Sequence, residues 1–304
     1  MRYRFYTADV FTKHVFGGNP LAVFPDARGL TAERMQAIAR EFNLSETVFV
    51  FPPEVAAHTR RLRIFTPAME LPFAGHPTVG AAHVLAAIGD IPLASEVTRH
   101  IFEEGVGPVG VTIFTRDGNP VFAQLSAAKL PEFGPTPPST EAIAAVLALE
   151  GADILEGQYS PQAVSCGVPF LFVPLRNRDA LRRARLHREQ WETVLSSFWA
   201  PALYLFTFET ERNDSHLRAR MFAPAMGVAE DPATGAAATA LAGYLGVRDT
   251  TAAGTLRWVV EQGFEMGRPS ILEVEADKAA GRIAAIRVGG ASVMVSEGVM
   301  EVPV

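Results

Sequence analysis

The stretch FTPAMELPFAGHPTVGAA, residues 65–82, returns later in the chain as MFAPAMGVAEDPATGAAA, residues 221–238. Phe65, Pro67, Ala68 and Met69 match Phe222, Pro224, Ala225 and Met226 at an offset of 157. Pro77, Gly80, Ala81 and Ala82 match Pro232, Gly235, Ala236 and Ala237 at an offset of 155, which makes the second loop two residues shorter. Other segments fall in the same register. RHIFEEG at Arg99 answers RWVVEQG at Arg257, and FNLSETVFV at Phe42 answers FWAPALYLF at Phe198. Gly18-Asn19-Pro20 answers Gly167-Val168-Pro169 more weakly. Matches in chain order at nearly constant spacing mark an internal duplication. The halves run over residues 1–120 and 125–285, and the strand-like tail 289–304 is left over to complete the first half's sheet.

Local signals agree with this division. Thr31 is placed to cap a helix running to Phe42, because Met35, Ile38, Ala39 and Phe42 recur at helical spacing and Asn43 suits the C-terminal cap. Strand-like runs follow at 47–51, 62–66 and 109–114. A small-residue helix is predicted after Pro77, closed by Gly89. The second half repeats the order, with a helix near 188–198, a strand at 203–208 and a small-residue helix from Pro232 to Leu245.

Of the 304 residues, 48% are apolar and 20% charged, enough to bury a full core. A net charge of -6 supplies no basic stripe for nucleic acid or an anionic membrane surface. No run of 18 apolar residues and no signal-peptide core occurs, so a soluble cytoplasmic protein is expected. The single cysteine, Cys166, excludes an internal disulfide and a multi-cysteine metal site. Histidines show no metal-ligand spacing, and neither a G-x-S-x-G elbow nor a phosphate-binding loop is present. GVGPVG at Gly105 has the dinucleotide spacing, but a strand rather than a helix follows it.

Gly75-His76-Pro77 and Glu230-Asp231-Pro232 each set a polar residue before a proline and a run of small residues. Proline suits a first helical turn, so His76 and Asp231 are expected at the N-caps of equivalent helices. Free N–H groups and a partial positive charge at such ends attract carboxylates. If the halves pack about a pseudo-twofold axis, both ends meet in the cleft between them. Plain capping by Asp231 and a structural hydrogen bond from His76 are the simpler alternatives. Glu46 has no counterpart, since Ala202 holds the matched position. A carboxyl at the mouth of an apolar strand is partly desolvated and shifted towards acid/base use; an exposed turn glutamate is the other reading.

GNPLAVF at Gly18, MQAIAREFNLSETVFV at Met35, LPFAGHPTVGAA at Leu71, VAEDPATGAAA at Val228 and EQGFEMGRPS at Glu261 together resemble the phenazine-biosynthesis PhzF-like family. That resemblance implies an α+β protein of the diaminopimelate-epimerase-like fold, made of two similar domains. Each is a curled mixed sheet around a central helix, with the active site between them. It also implies a homodimer, no cofactor and a small-molecule carboxylate substrate. In the phenazine enzyme the matching glutamate (Glu46) shuttles a proton between carbons of a cyclic dihydro-hydroxyanthranilate, while the residues matching His76 and Asp231 assist. The candidate substrate-binding set is Asn19, Gly75, Gly235 and Ala236. The phenazine enzyme carries a serine at the position of Ala236, so one substrate-binding hydroxyl is absent. A single-base epimerase and a non-catalytic binder of the same fold are the alternatives. The two-cysteine racemase mechanism is excluded, because the chain has one cysteine and it lies outside the matched segments.

Overall fold

The computed structural model describes residues 1–303. Two compact units divide the chain: residues 1–128 with 288–304, and residues 129–287. Unit 1 opens with β1 (Arg2–Val10), β2 (Asn19–Phe24), α1 (Ala32–Phe42), β3 (Glu46–Phe51), β4 (Arg60–Phe65) and β5 (Glu70–Leu71). It continues with α2 (Gly75–Ala87), β6 (Val97–Glu104), β7 (Gly107–Arg116) and β8 (Asn119–Ser126). Unit 2 holds β9 (Glu132–Phe133), α3 (Thr140–Val146), β10 (Gln162–Ser165), β11 (Pro169–Pro174), α4 (Arg178–Arg183) and α5 (Arg188–Val194). Next come β12 (Ala202–Thr207), β13 (Leu217–Ala223), β14 (Val228–Asp231), α6 (Gly235–Gly246), β15 (Gly254–Gln262) and β16 (Ser270–Ala279). After β17 (Arg282–Gly290), the tail strand β18 (Ser292–Glu301) closes unit 1 by pairing antiparallel with β1 from end to end.

Helix α1 forms as its sequence predicts. Thr31 accepts from Arg34 N, Asn43 takes the left-handed conformation at φ 50°, and Met35, Ile38 and Ala39 are buried. They pack on Phe24, Phe49 and Phe65, the aromatic core of this side of the sheet. Helix α2 is different: twelve of its thirteen residues are buried. A helix apolar all round has no solvent face to offer, and α2 lies against β1, β2, β3, β7 and β8. Helix α6 is enclosed in the same way within unit 2, against β10, β11, β15 and β16.

The duplication is exact in strand register. In unit 1, β2 and β3 are parallel with Leu21 opposite Glu46, β3 and β4 antiparallel with Thr47 opposite Phe65, and β4 and β6 parallel with Arg61 opposite Glu103. In unit 2, β11 and β12 are parallel with Phe170 opposite Ala202. There β12 and β13 are antiparallel with Leu203 opposite Phe222, and β13 and β15 parallel with Arg218 opposite Glu261. Side chains repeat too. Glu103 accepts from the N–H groups of Glu54 and Val55, and Glu261 from those of Glu211 and Arg212. Arg61 pairs with Glu54 as Arg218 does with Glu211.

The helix starts do not align as the sequence motif suggests. Arg63 grips Glu70 through two bonds, and Arg220 grips Glu230 in the same fashion. Ile64 faces Leu71 across β4 and β5, where Met221 faces Asp231 across β13 and β14. The residues before α2 and α6 are Ala74 and Thr234, neither capping through its side chain. Glu70, Leu71, Pro72 and Gly75 therefore correspond to Glu230, Asp231, Pro232 and Gly235. The second loop is three residues longer rather than two shorter. Neither His76 nor Asp231 is an N-cap: His76 is the second residue of α2, and Asp231 ends β14 before the helix begins. The counterpart of His76 is Ala236. Proline explains the misreading, since it is tolerated both in a first helical turn, as Pro77 is, and in the loop before one, as Pro232 is.

Candidate active site

Three element starts converge in unit 1. Asn19 begins β2, Glu46 begins β3, and His76 lies in the first turn of α2. Parallel pairing of β2 and β3 brings their starts to the same edge, with Leu21 opposite Glu46. Helix α2 approaches this edge closely because Gly80, one turn beyond His76, has no side chain. A methyl there would come within 2.5 Å of Leu21 Cδ2 and 2.6 Å of Val10 Cγ2.

The resulting cluster has a defined order. Asn19 is wholly buried, and its Nδ2 lies 3.2 Å from His76 Nδ1. With an amide N–H facing Nδ1, that nitrogen accepts and the ring proton sits on Nε2. Nε2 is the nitrogen 3.2 Å from Glu46 Oε2. Burial drives His76 down to about 3, so the ring is neutral at pH 7. Glu46 keeps 14% of its side chain exposed, the most open of the three. A neutral imidazole thus lies against the carboxyl group, with Nε2 and Oε2 in contact but outside hydrogen-bond geometry.

Unit 2 builds a different cluster. Thr234 Oγ1 donates to Asp231 Oδ2 at 2.5 Å. Gln262 Nε2 donates to Asp231 O at 2.8 Å and to Thr234 Oγ1 at 3.0 Å, while its Oε1 accepts from Thr234 N and the Tyr204 hydroxyl. Burial, helped by the charge of Asp231, raises the Tyr204 phenol above its ordinary value, so it remains a donor. Gly263 follows with φ 77°, and any side chain on it would strike Pro232 and Arg268. Asp231 is therefore fixed from both flanks. Tyr204 falls within FWAPALYLF, Thr234 within VAEDPATGAAA, and Gln262 within EQGFEMGRPS and the repeat of EEG as EQG, without any of them being singled out by its own chemistry.

Among the other candidates, Gly75 and Gly235 open α2 and α6 and are buried, and Ala236 is half-buried. Asn19 stands behind His76, holding the ring. Burial pushes the Cys166 thiol up to about 12, which removes it as a nucleophile at neutral pH. GVGPVG is the turn joining β6 to β7 together with the first four residues of β7. No helix of the described residues is long and apolar enough to cross a membrane, and none of them group as a metal site.

Mixed sheets of this register around buried helices, in two repeats, define an α+β fold of the diaminopimelate-epimerase-like class. A solved Bacillus anthracis protein of the PhzF family matches 99% of this chain and 100% of its own, with a TM-score of 0.88 and 28% identity. The family model for phenazine biosynthesis-like proteins, PhzC-PhzF, matches residues 8–298. An uncharacterized isomerase of Mesorhizobium japonicum is 44% identical over 295 residues, 95% of this chain and 96% of that one. The trans-2,3-dihydro-3-hydroxyanthranilate isomerase of Pseudomonas aeruginosa is 37% identical over 296 residues, 97% of this chain and 98% of that one. The chain belongs to the PhzC-PhzF family of phenazine biosynthesis-like proteins, and it is an isomerase.

Proposed function

We propose that the protein moves a proton between carbons of a small cyclic or conjugated carboxylate without a cofactor, with Glu46 as the single acid/base. The observation that carries this reading is the contact of Glu46 Oε2 with the buried, neutral His76 at 3.2 Å, the far side of the ring being held by Asn19. As a carboxylate, Glu46 takes a proton from a carbon whose electron pair passes into the conjugated system. As the acid so formed, it returns that proton to a second carbon, and the enzyme ends unchanged. His76 lies against Glu46 as a neutral neighbour, and its low basicity prevents it from taking the proton itself. Asp231 assists catalysis by binding and polarising a substituent of the substrate, and the backbone N–H groups at Gly75 and Gly235, where a helix start favours a carboxylate, are assigned to substrate binding.

The Pseudomonas aeruginosa relative names the first substrate to try. Ala236 offers a methyl where a serine would offer a hydroxyl, which favours a substrate with one polar substituent fewer. The test is solvent deuterium incorporation into trans-2,3-dihydro-3-hydroxyanthranilate and related cyclic carboxylates, comparing wild type with Glu46→Gln. Loss of about 10²–10⁴ in exchange rate is expected for the variant. Equal exchange by both proteins would remove Glu46 from the chemistry.

A further inference from the structure

Glu104, at the end of β6, is buried and takes no part in the chemistry above. Its Oε1 lies 2.6 Å from Thr78 Oγ1 in the first turn of α2, two residues beyond His76. Thr78 Oγ1 is also 2.7 Å from Ala74 O. A hydroxyl has one hydrogen, and a carbonyl can only accept. Back-bonding of a helical threonine to the carbonyl four residues earlier is the common arrangement, and Thr239 does the same to Gly235 O in α6. With the Thr78 hydrogen committed to Ala74, the contact at 2.6 Å needs its hydrogen from Glu104. Glu104 Oε2 is buried with no hydrogen-bond partner among the described residues. A bare charged oxygen there would be far costlier than a neutral one.

The duplication supplies the second argument. The residue matching Glu104 is Gln262, a neutral group of the same shape, which braces the start of α6 through Thr234 and Asp231. We propose that Glu104 is a positioning residue, held as a neutral carboxylic acid that donates to Thr78 and so fixes the first turn of α2 and His76 within it.

The surroundings fit. Glu104 lines a cavity of about 630 Å³ together with Glu54, His58, Arg61, Arg63, Glu70 and Glu103. Those charges are paired with one another: Arg61 with Glu54, Arg63 with Glu70, and His58 with Glu103. None is within ion-pair reach of Glu104 among the described residues, and both titratable groups on α2, His76 and His83, are held neutral by burial. Burial raises the Glu104 carboxyl to about 8. The unfolded chain releases this proton near pH 4.5. Between those values the native state holds a proton that the unfolded state has lost, so Glu104 weakens the fold progressively as pH rises from about 4.5 to about 8.

The proposal rests on the reading of His76 as part of the site, but its test does not depend on the substrate. Thermal unfolding of wild type and Glu104→Gln is followed from pH 4 to pH 9. The two melting temperatures should coincide near pH 4 and separate up to about pH 8, with the glutamine variant the higher. A gap that does not change with pH overturns the neutral acid. Imidazole ¹⁵N shifts then report on His76: its Nε2–H pattern should survive in Glu104→Gln and change in Glu104→Ala. Thr78→Val gives the same readout if the alanine variant does not fold. An unchanged His76 signal in Glu104→Ala or Thr78→Val overturns the positioning role. Failure of Glu46→Gln to alter deuterium exchange, with these results intact, would count against the proposed reaction alone.

Discussion

His76 is an imidazole whose two nitrogens are given different tasks by neighbours far away in sequence, Asn19 on one side and Glu46 on the other. Replacing Asn19 with Ala removes the acceptor's partner at Nδ1 and frees the ring to take the other tautomer. The expected result is an exchange rate at least about tenfold lower, the equivalent of about 1.4 kcal/mol of a buried hydrogen bond. Imidazole ¹⁵N shifts should show mixed tautomers. A single unchanged tautomer in the variant would refute the assignment. The pH behaviour follows from the same burial. His76 is depressed to about 3 and His83 to about 4, against 6.5 when exposed. The unfolded chain takes up these protons first as pH falls, so both residues contribute stability that is present above about pH 6.5 and lost towards pH 3–4. Melting temperatures of His83→Gln should therefore fall less steeply than wild type below pH 6.5, and parallel curves would deny that His83 is buried neutral. The rate profile should show no limb near 6.5 assignable to His76.

At the scale of elements, α1 was legible from its own residues, and α2 and α6 were legible as small-residue helices but not in their starting points. Caps and periodicity are short-range properties, so a helix that makes its own cap announces its boundary. Helices α2 and α6 begin at residues whose side chains make no cap, and tertiary packing sets where they start. Close approach at Gly80 is one such constraint. Gly80→Ala should cost about 1–3 kcal/mol by overpacking against Leu21 and Val10. It should also move His76 away from Glu46 and lower exchange activity beyond what the stability loss explains. Denaturant unfolding alongside the deuterium assay separates the two effects, and a variant as stable and active as wild type would show that α2 can yield. The site was only partly legible for a related reason. Glu46, His76 and Asp231 stood out by motif, whereas Gln262, Tyr204, Thr234 and Glu104, though inside quoted segments, are defined by the hydrogen bonds they make.

For the whole molecule, the tail strand is the piece whose removal is most informative. Strand β18 pairs with all of β1, from Arg2 opposite Glu301 to Val10 opposite Ser292, and Val302 joins the buried cluster that contains Tyr3 and Phe24. A chain ending at residue 290 would leave β1 as a bare edge with unpaired N–H and C=O groups, an invitation to pairing between chains. Such a truncation should lower the melting temperature and raise the apparent mass on size exclusion. A truncated chain as stable as the original, with unchanged elution, would mean that β1 needs no partner.

The amino-acid order alone determined that the chain is duplicated, because matched segments repeat in chain order at nearly constant spacing. It also singled out Glu46 as unmatched, since strands β3 and β12 keep the same register in both units. Only the tertiary structure decided which residues correspond at the helix starts, and it replaced the pairing of His76 with Asp231 by pairings of His76 with Ala236 and Leu71 with Asp231. Bidentate ion pairs, strand partners and glycine contacts fix that correspondence, and each joins residues distant in sequence. A proline followed by small residues is compatible with either position along the chain. The choice between them is made by packing.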